Sequence, residues 1–515
     1  MLPPEFFQED FHVLPEIVAL HARQRPDHRA VIHRERSLSY AQLNALADRV
    51  AAGLQRDGLK SRDVIAICAS TSIEYLTVFL GALRAGVAVT PLAPSSTPQS
   101  LLGMIDDCGA TLLFLDAGIA ADLAEVTPRI KATRIALDGS DAGRALDDWL
   151  PMDGTRPEPV EIDPQQPFNI IYSSGTTGAP KGIIQSYRMR WMHVRRGFYS
   201  ADAVTLISTP FYSNTTLVSV FPTLAHGGTL VLMAKFDVEA FLTLAQKYRV
   251  THAILVPVQY KRLMEYPDFD KYDLSSFVTK FCTSAPFSVA LKQEVMRRWP
   301  GGLVEYFGMT EGGCTFILEA HLHPDKLHTV GKPAPGHRAR LINDAGEEVA
   351  PGEIGEIVGT SASMMNAYHN LPDRTAAAEW YDADGVRHMR MGDIGRFDAD
   401  GFLTLMDRKK DMIISGGFNI YPSDLEAVVA EHDAVGEVAV VGVQSGRWGE
   451  TPVAYVALKP GAQATADDIR TWANARLGKM QRIADVVIVE ALLRNHIGKV
   501  MKKELRETYV GPATA

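Results

Sequence analysis

The residues with the clearest chemical potential lie in one short segment, residues 172–182, which reads YSSGTTGAPKG. Glycines let a backbone curl until its amide N–H groups point at an anion, hydroxyls add hydrogen-bond donors, and a lysine adds a positive charge. The segment follows an apolar run typical of a strand and predicts a phosphate-binding loop formed by Ser173, Ser174, Gly175, Thr176, Thr177, Gly178 and Lys181. It is not a Walker A loop, because Pro180 precedes the lysine and Gly182 follows it. The plainer alternative is a flexible surface turn.

A second candidate segment, residues 306–311, reads YFGMTE. An aromatic ring offers a face for a purine, and Gly308 lets the backbone approach a ligand. Thr310 can donate to a phosphate, and Glu311 can hold Mg²⁺ through oxygen. The alternative is structural: Thr310 caps the N-terminus of a helix whose first turn is acidic.

Three charged residues farther along the chain each have a functional and a structural interpretation. A carboxylate at Asp393 can accept hydrogen bonds from both hydroxyls of a ribose, with Arg408 as a second contact, whereas the alternative is ordinary turn chemistry. Lys499 lies in residues 495–500, which read NHIGKV. Taken alone, it indicates a solvated basic stretch together with the two lysines that follow.

These segments together resemble the adenylate-forming superfamily of acyl-CoA synthetases, nonribosomal adenylation domains and firefly luciferases. The hallmark is the Ser/Thr/Gly-rich loop that ends in Pro-Lys-Gly. The resemblance continues in family order across nearly the whole chain, through residues 284–286, 306–311, 391–393, 407–408, 415–417 and 497–499. The fatty-acid and aryl-acid (coumarate-like) CoA ligases are the most similar members.

The resemblance implies a role for each matching residue. The catalytic residues are Lys499, Thr310 and Glu311, and the metal ligands are Glu311 and Thr176. Phe307 stacks on adenine where the family usually has tyrosine, and Asp393 is the ribose ligand. The nucleotide site further includes Ser284, Ala285, Pro286, Tyr306, Gly308, Met309, Thr310 and Arg408.

The resemblance also implies a reaction and its cofactors, ATP, CoA and Mg²⁺. A carboxylic acid and ATP give an acyl-adenylate and pyrophosphate, and CoA then releases AMP to form acyl-CoA. Residues 1–407 form an N-terminal body, residues 408–411 a hinge at Lys410, and residues 412–515 a C-terminal lid. Rotation of the lid brings Ser415, Gly416 and Gly417 to the CoA tunnel.

The acyl pocket of these relatives begins after a Pro-aromatic pair, here at Pro210. The matching residues are Tyr212, Ser213, Thr215, Thr216 and Ser219, with Gly312, Gly313 and Cys314 behind the magnesium ligand. They indicate an uncharged pocket of moderate size. The resemblance to the fatty-acid and aryl-acid CoA ligases implies an aromatic or a medium- or long-chain aliphatic monocarboxylic acid. Arg188, Arg190, Arg195 and Arg196 follow the phosphate loop. We expect surface charge there, although one of them can face a dicarboxylate or the CoA phosphates.

Periodicity predicts the elements that position these residues. Helices over residues 40–54 and 73–85 alternate with strands over residues 64–67, 87–89, 111–115, 168–172, 229–233 and 252–256, which is typical of doubly wound α/β sheets. Closely spaced turns after Gly331 predict a β-rich subdomain. A helix from Asp424, a helix capped by Thr465 and strands over residues 438–443, 453–458 and 485–489 predict a small, mobile α+β domain.

Composition narrows the class of protein. The 515 residues include 52 basic and 61 acidic side chains, and the net charge of −9 argues against a nucleic-acid partner. Four cysteines without CxxC spacing indicate a reducing compartment. The start of the chain lacks a signal peptide, and the most apolar window, residues 217–233, is broken by Pro222. We therefore expect a cytoplasmic enzyme without a membrane segment, with a small-molecule acid as its partner and the possibility of a homodimer.

The sequence leaves other functional classes open. An adenylate-forming enzyme with a different acceptor would pass its acyl group to a carrier protein or would activate an amino acid. No acidic residue in residues 211–219 is available to receive an α-ammonium, which weighs against an amino acid. A luciferase-like oxygenase and a noncatalytic nucleotide-binding regulator share the same fold, and the presence of Lys499 and Glu311 weighs against the regulator.

Overall fold

The computed structural model describes residues 2–173, 180–415, 418–445, 448–478, 481–494 and 500–511, with only the backbone at residues 418–419. Eight residues predicted to belong to the site lie outside the described residues: Ser174, Gly175, Thr176, Thr177, Gly178, Gly416, Gly417 and Lys499. The chain divides into two compact units. The first unit comprises Met1–Leu327, Pro333–Arg338 and Gly359–Met389, and the second comprises His328–Lys332, Ala339–Val358 and Arg390–Ala515.

The helices of the described residues are α1 (Leu14–Gln24), α2 (Tyr40–Arg56), α3 (Ile73–Arg84), α4 (Pro98–Cys108), α5 (Ala117–Asp122), α6 (Leu146–Trp149), α7 (Tyr187–Val194), α8 (Asn214–His226), α9 (Val238–Lys247), α10 (Pro257–Met264), α11 (Val289–Arg298), α12 (Pro372–Ala377), α13 (Pro422–Ala430), α14 (Ala466–Asn474) and α15 (Lys502–Glu507). Short 3₁₀ helices span Pro4–Gln8, Thr127–Arg129 and Phe269–Lys271.

The strands are β1 (Arg29–His33), β2 (Arg36–Ser39), β3 (Val64–Cys68), β4 (Ala88–Pro91), β5 (Leu112–Leu115), β6 (Thr133–Ala136), β7 (Arg144–Ala145), β8 (Pro167–Ser173), β9 (Lys181–Ser186), β10 (Val204–Ile207), β11 (Thr229–Leu232), β12 (His252–Leu255), β13 (Thr279–Cys282), β14 (Gly302–Phe307), β15 (Phe316–Glu319), β16 (Lys332–Pro333), β17 (Arg338–Ile342), β18 (Gly355–Thr360), β19 (Ala367–Tyr368), β20 (Glu379–Tyr381), β21 (Arg387–Phe397), β22 (Leu403–Arg408), β23 (Ile413–Ser415), β24 (Phe418–Ile420), β25 (Val435–Ser445), β26 (Gly449–Leu458) and β27 (Asp485–Val489).

The helices begin where local capping chemistry allows it. At the start of α2 the Ser39 side chain accepts a hydrogen bond from the Gln42 amide, and the Gln42 side chain accepts one from the Ser39 amide. Thr465 and Asp468 form the same reciprocal cap on α14, which confirms the cap predicted there. Each cap satisfies amide groups that the first helical turn leaves without a partner.

Two sheets make up most of the first unit. One contains the run of strands β15-β14-β13-β12-β10-β11-β1-β2, in which all neighbours are parallel except the antiparallel pairs at the two ends of the run. In the other, the order is β19-β9-β8-β4-β3-β5-β6-β7, with antiparallel pairing only at β19-β9-β8. Buried residues of α1, α2, α3, α7 and α8 pack with buried strand residues in one hydrophobic core. Helices packed on largely parallel sheets confirm the predicted α/β class.

Pairing at the sheet edges brings the ends of distant segments together in the first unit. The predicted phosphate loop connects the antiparallel strands β8 and β9, and Lys181 opens β9. The short strand β19 pairs with β9, with Tyr368 opposite Ile183. The segment that carries Thr310 and Glu311 connects the antiparallel strands β14 and β15.

The second unit contains the predicted β-rich and small α+β regions. Strands β17, β18 and β21 are neighbours in one sheet, with β22 paired to β21. The other sheet has the order β24-β23-β26-β25, with β27 parallel to β26, and residues of α13 and α14 share its core. The boundary that we predicted at residue 407 lies inside this unit, and the predicted hinge stays a prediction.

The apolar window at residues 217–233 is divided between α8 and β11. The helix ends at Gly227, before the strand begins. In the described part of the chain no helix is long and apolar enough to cross a membrane. All four cysteines are buried and unpaired by disulfides.

Candidate active site

Three side chains form a compact polar cluster at the start of β9. The Lys181 Nζ lies 2.9 Å from Glu311 Oε1 and 2.6 Å from the Tyr368 hydroxyl oxygen, and that hydroxyl donates to the same Glu311 oxygen at 2.7 Å. Glu311 and Tyr368 are buried, whereas Lys181 is partly exposed. Burial and the charge of Glu311 raise the pKa of Tyr368, so the phenol stays protonated. The cluster thus holds one cation and one carboxylate in mutual contact.

Backbone hydrogen bonds also position this cluster. Tyr368 reaches Lys181 because β19 pairs with β9, and the Met365 amide donates to the Glu311 carbonyl at 2.8 Å. Sequence reasoning missed Tyr368 entirely. Its strand has two residues, and nothing in the local pattern indicates pairing with a strand almost 190 positions earlier.

A buried amide network lies behind the Thr310 turn. The Gln185 side chain donates to the Thr310 carbonyl at 2.6 Å and accepts hydrogen bonds from Asn169 and Arg190. Arg190 also donates to Asn169 Oδ1 at 3.0 Å. We expected surface charge at Arg190, and this was wrong: only 3% of the residue is exposed. No carboxylate of the described residues pairs with Arg190, and burial lowers its pKa to about 9.

The segment 306–311 presents its two aromatic rings on opposite faces of β14, as alternation along a strand requires. Tyr306 stacks on Phe281, with ring centroids 5.5 Å apart, whereas Phe307 packs at 5.7 Å from Phe316 of the neighbouring strand. No helix follows Thr310 before β15, so the structural alternative of a helix cap there is wrong. Phe307, Gly308 and Met309 are all at least partly exposed.

Ser173 is the first residue of the predicted phosphate loop, and the structure describes it. This residue ends β8, and its hydroxyl oxygen is buried without a hydrogen-bond partner among the described residues. A buried hydroxyl without a partner costs free energy unless a ligand or another group satisfies it. The adjoining loop residues lie outside the described part of the chain.

Ser284 adopts an uncommon backbone conformation in the segment predicted to line adenine. Its φ is +82°, a region that residues other than glycine rarely adopt. Its hydroxyl lies 2.6 Å from the Thr215 hydroxyl, which links this segment to the predicted acyl pocket. Ala285 is partly exposed and Pro286 is exposed, so both have free surface for a ligand.

The residues predicted for the acyl pocket differ in how much surface they present. Tyr212, Ser213 and Thr215 are partly exposed at the start of α8, and burial raises the pKa of Tyr212 to about 12. Thr216 is buried, and its hydroxyl donates to the Pro210 carbonyl at 2.7 Å. Ser219 is buried and accepts a hydrogen bond from the Tyr199 hydroxyl at 2.8 Å.

Gly312, Gly313 and Cys314 pack against backbone. Gly312 has φ +83°, and a Cβ atom there would overlap the carbonyl oxygen of Ser363. The carbonyl of Gly313 accepts a hydrogen bond from Ser361 Oγ at 2.6 Å. Burial raises the pKa of Cys314 to about 12, so the thiol stays protonated. At these three positions the chain therefore lies directly against residues 359–363.

The second unit pairs the two residues predicted to contact ribose. Asp393 and Arg408 are cross-strand partners on β21 and β22, and Arg408 Nε lies 3.4 Å from Asp393 Oδ1. Asp393 is 8% exposed. Lys410 is exposed in the turn after β22, and Ser415 is buried at the end of β23.

The described residues contain no group of three or more histidine, cysteine, aspartate or glutamate side chains able to hold a metal ion. A single buried carboxylate at Glu311 nevertheless fits Mg²⁺, which is typically bound through one or two carboxylates, water and substrate phosphates.

Two family models match the chain. Residues 18–369 match the AMP-binding enzyme model, and residues 424–499 match the AMP-binding enzyme C-terminal domain. The chain therefore belongs to the AMP-binding enzyme family, which confirms the resemblance to adenylate-forming enzymes.

Individual relatives cover nearly the full length. The chain is 33% identical over 511 residues to an indoleacetate–CoA ligase from Aromatoleum aromaticum, covering 96% of this chain and 98% of that protein. It is 29% identical over 516 residues to the fatty acid–[acyl-carrier-protein] ligase ScoC of Streptomyces coeruleorubidus, covering 97% and 96%. ATP-bound MatB from Rhodopseudomonas palustris superposes with a TM-score of 0.85 at 28% identity, covering 96% and 99%.

Proposed function

We propose that this protein is an ATP-dependent carboxylic acid:CoA ligase that works through an acyl-adenylate. The observation that carries the proposal is the cluster of Lys181, Glu311 and Tyr368. It places a cation suited to phosphate and a carboxylate suited to Mg²⁺ at the end of the predicted phosphate loop. The Ser173 hydroxyl at the other end of the same loop, buried without a partner among the described residues, supports an anionic ligand there.

The chemistry of a carboxylic acid explains why such a site is needed. A carboxylate is a poor acyl donor, because its oxygen is a poor leaving group. Attack of the carboxylate oxygen on the α-phosphorus of ATP forms the acyl-phosphate bond and breaks the bond to pyrophosphate. The acyl group then carries AMP as its leaving group. Catalysis rests on positioning and on stabilising negative charge, with Thr310 and Lys499 at the α-phosphate and Lys181 at the departing phosphates.

The nucleotide requires additional contacts. We propose that Phe307 stacks on adenine beside Ser284, Ala285 and Pro286, and that Asp393 with Arg408 contacts the ribose. Glu311, together with Thr176, would hold Mg²⁺, which supplies charge neutralisation for the triphosphate. The buried carboxylate of Asp393 is suited to accept two hydroxyl donors.

The second half-reaction transfers the acyl group to a thiol. The CoA thiol releases its proton to solvent, its sulfur forms a bond to the acyl carbon, and AMP leaves with the electron pair of the carbon–oxygen bond that joined it to the acyl group. We propose that the region after Lys410 rotates between the two steps and that Ser415, Gly416 and Gly417 line the path of the pantetheine arm.

The relatives support an aromatic or an aliphatic carboxylic acid as the substrate, because their names specify indoleacetate and fatty acids. A second candidate function is acyl transfer to a carrier protein, which the similarity to ScoC supports. The two candidates share the first half-reaction and differ only in the acceptor.

The test measures pyrophosphate release across a panel of aromatic and aliphatic acids, with CoA, with a phosphopantetheinylated carrier protein, or with neither. Acid-dependent release followed by acyl-CoA formation supports the ligase. Release with product only on the carrier protein favours the second candidate, and no acid-dependent release overturns both. The Lys499→Ala variant should lose adenylate formation and still convert supplied acyl-adenylate to thioester. Lys503→Ala, at an exposed ion pair with Glu507, is the matched control.

A further inference from the structure

Arg196 follows the end of α7, and its charged side chain lies against an aromatic ring instead of pointing into solvent. Its guanidinium carbon is 5.3 Å from the centroid of the Tyr306 ring, and NH2 donates to Thr315 Oγ1 at 3.1 Å. The residue is half-buried. We expected surface charge at this position, as at Arg190, but the side chain lies on the aromatic residue that precedes Phe307 on β14.

A continuous row of side chains connects Arg196 to the predicted acyl pocket. Tyr306 stacks on Phe281 with an interplanar angle of 11°, and Phe281 stacks on Tyr199 at 5.7 Å between centroids. The Tyr199 hydroxyl donates to Ser219, one of the residues predicted to line the pocket. Tyr199 and Tyr306 are partly exposed, whereas Phe281 between them is fully buried.

Several other buried or half-buried cations of the first unit have the acceptors that Arg196 lacks. Arg190 donates to the side-chain oxygens of Asn169 and Gln185, and Lys280 donates to three backbone carbonyls. Three more cations have a carboxylate partner. Arg84 pairs with Asp48, Lys292 pairs with Glu305, and Lys181 pairs with Glu311. No carboxylate among the described residues pairs with Arg196. Its partners there are the Thr315 hydroxyl and Tyr306, which leave most of the five N–H groups of a guanidinium without an acceptor.

The titratable groups around Arg196 do not compensate its charge. Burial lowers the pKa of His337 to about 4, and it lowers the pKa of His193 as well, with the charge of Arg196 acting in the same direction. Burial raises the pKa values of Tyr199 and Tyr306. At neutral pH all four groups are uncharged, while an arginine remains protonated. A partly desolvated charge without a counter-ion is costly to keep.

We infer that Arg196 binds a second carboxylate of the substrate, so that the preferred acid is a dicarboxylic acid with its two carboxylates at opposite ends. This inference rests on the proposed function, because it places the second carboxylate in the acyl pocket of that reaction. The planar guanidinium can donate two parallel hydrogen bonds to the two oxygens of a carboxylate. Neither the Thr315 hydroxyl nor the Tyr306 ring offers such a pair of acceptors. The pocket is therefore charged at one end, in contrast to the uncharged pocket that its small residues predict.

The test compares matched acids that differ only in the distal group: adipate with hexanoate, suberate with octanoate, and 3-(4-carboxyphenyl)propanoate with 3-phenylpropanoate. Binding to the full-length protein is measured by calorimetry, and pyrophosphate release gives kcat/KM for each acid. The variants are Arg196→Met, which keeps the length of the side chain, and Arg196→Lys, which keeps the charge. Arg195→Met is the control, because that guanidinium donates to the backbone carbonyls of Phe7 and Gln8.

For the wild-type protein we expect at least one dicarboxylic acid to bind tenfold or more tightly than its monocarboxylic partner. Arg196→Met should remove that preference while leaving the monocarboxylic acid within about threefold, Arg196→Lys should keep part of it, and Arg195→Met should keep all of it. Wild-type preference for the monocarboxylic acid of every pair, or equal losses for both members in Arg196→Met, overturns the inference. If Arg196→Met does not fold, the Arg196→Lys and wild-type results decide.

The two proposals fail in different ways. Arg196-dependent binding of a dicarboxylic acid without pyrophosphate release contradicts the ligase and leaves only the carboxylate-binding role of Arg196 standing. Pyrophosphate release from monocarboxylic acids alone, unchanged in Arg196→Met, supports the ligase and overturns the inference.

Discussion

The Lys181 ammonium lies 2.6 Å from the hydroxyl oxygen of Tyr368, a residue 187 positions away in the chain. The same ammonium lies 4.0 Å from the centroid of the Tyr368 ring, so the tyrosine contacts the cation with both its face and its hydroxyl. Glu311 completes the cluster as the counter-ion. An ATP molecule that recruits Lys181 must therefore replace an existing ion pair.

Glu311→Gln should impair the use of Mg²⁺ more than the folding of the chain. The amide keeps the size of the side chain but loses the negative charge that a divalent cation needs. We expect the Mg²⁺ concentration for half-maximal pyrophosphate release to rise about tenfold or more. Tyr368→Phe is the companion variant: it removes the hydroxyl, keeps the ring under Lys181, and should change that concentration by less than about threefold. An unchanged Mg²⁺ dependence in Glu311→Gln would show that this carboxylate is not a metal ligand.

Asp393→Ala should raise the KM for ATP without affecting the KM for the acid. Losing a charge-assisted hydrogen bond to a ribose hydroxyl costs about 1.5–3 kcal/mol, which corresponds to about tenfold to a hundredfold in KM. Steady-state kinetics with each substrate varied in turn provides the measurement. Asp398→Asn is the control, because Asp398 accepts hydrogen bonds from the Asp400 and Phe402 amides in a turn of the same unit. Equal KM values for ATP in Asp393→Ala and the wild type would refute the ribose assignment.

Gly312→Ala should destabilise the first unit far more than Gly336→Ala. Both glycines have positive φ values, +83° and +77°, so both substitutions incur about 1–2 kcal/mol of backbone strain. Only at Gly312 would the new Cβ also overlap the backbone of Ser363, while Gly336 has open space. We expect about 1–3 kcal/mol of additional destabilisation at Gly312, measured as a lower urea midpoint. Equal urea midpoints would show that the backbone near Ser363 shifts at little cost to accommodate the new Cβ atom.

Acidification below pH 6.5 should weaken the first unit through its buried histidines. Burial lowers the pKa of His252 to about 4, and the ring bonds the Phe198 carbonyl through Nε2 at 2.9 Å. Between pH 6.5 and 4 the unfolded chain binds a proton that the folded chain does not, so stability falls as the pH falls, by about 2 kcal/mol at pH 5 for this residue.

The corresponding measurement is the urea midpoint at pH 7.5 and at pH 5. His252→Gln should narrow the difference between the two midpoints, because its side chain does not titrate. His328→Gln, at an exposed histidine, should leave the difference as it is in the wild type. An identical pH dependence in all three proteins contradicts the assignment.

Elements with strong periodicity could be predicted from the sequence almost to the residue. The helix predicted over residues 40–54 is α2 (Tyr40–Arg56), and the strand predicted over residues 485–489 is β27. In both segments apolar residues repeat at the spacing of the element, so local sequence and tertiary packing require the same structure. The family could also be identified from the sequence, because each motif is a short contiguous segment and the motifs follow one another in the order typical of the family.

What the sequence did not reveal depends on contacts between distant segments. Charged residues are rarely buried, so the pattern around Arg190 and Arg196 favoured a surface helix. Arg190 is buried because Asn169 and Gln185, on two other strands, supply its acceptors. Tyr368 joins Lys181 through a two-residue strand, which has no periodicity of its own.

The network behind Thr310 also removes a freedom that an amide side chain usually has. The Gln185 oxygen faces the donors of Asn169 and Arg190, and its nitrogen faces the Thr310 carbonyl. Turning the amide over would set donor against donor and acceptor against acceptor, so only one of its two orientations is compatible with these neighbours. The buried guanidinium of Arg190 can only donate hydrogen bonds, so it fixes which end of the Gln185 amide faces it. The other end of that amide then donates to the carbonyl of the peptide group that joins Thr310 to Glu311.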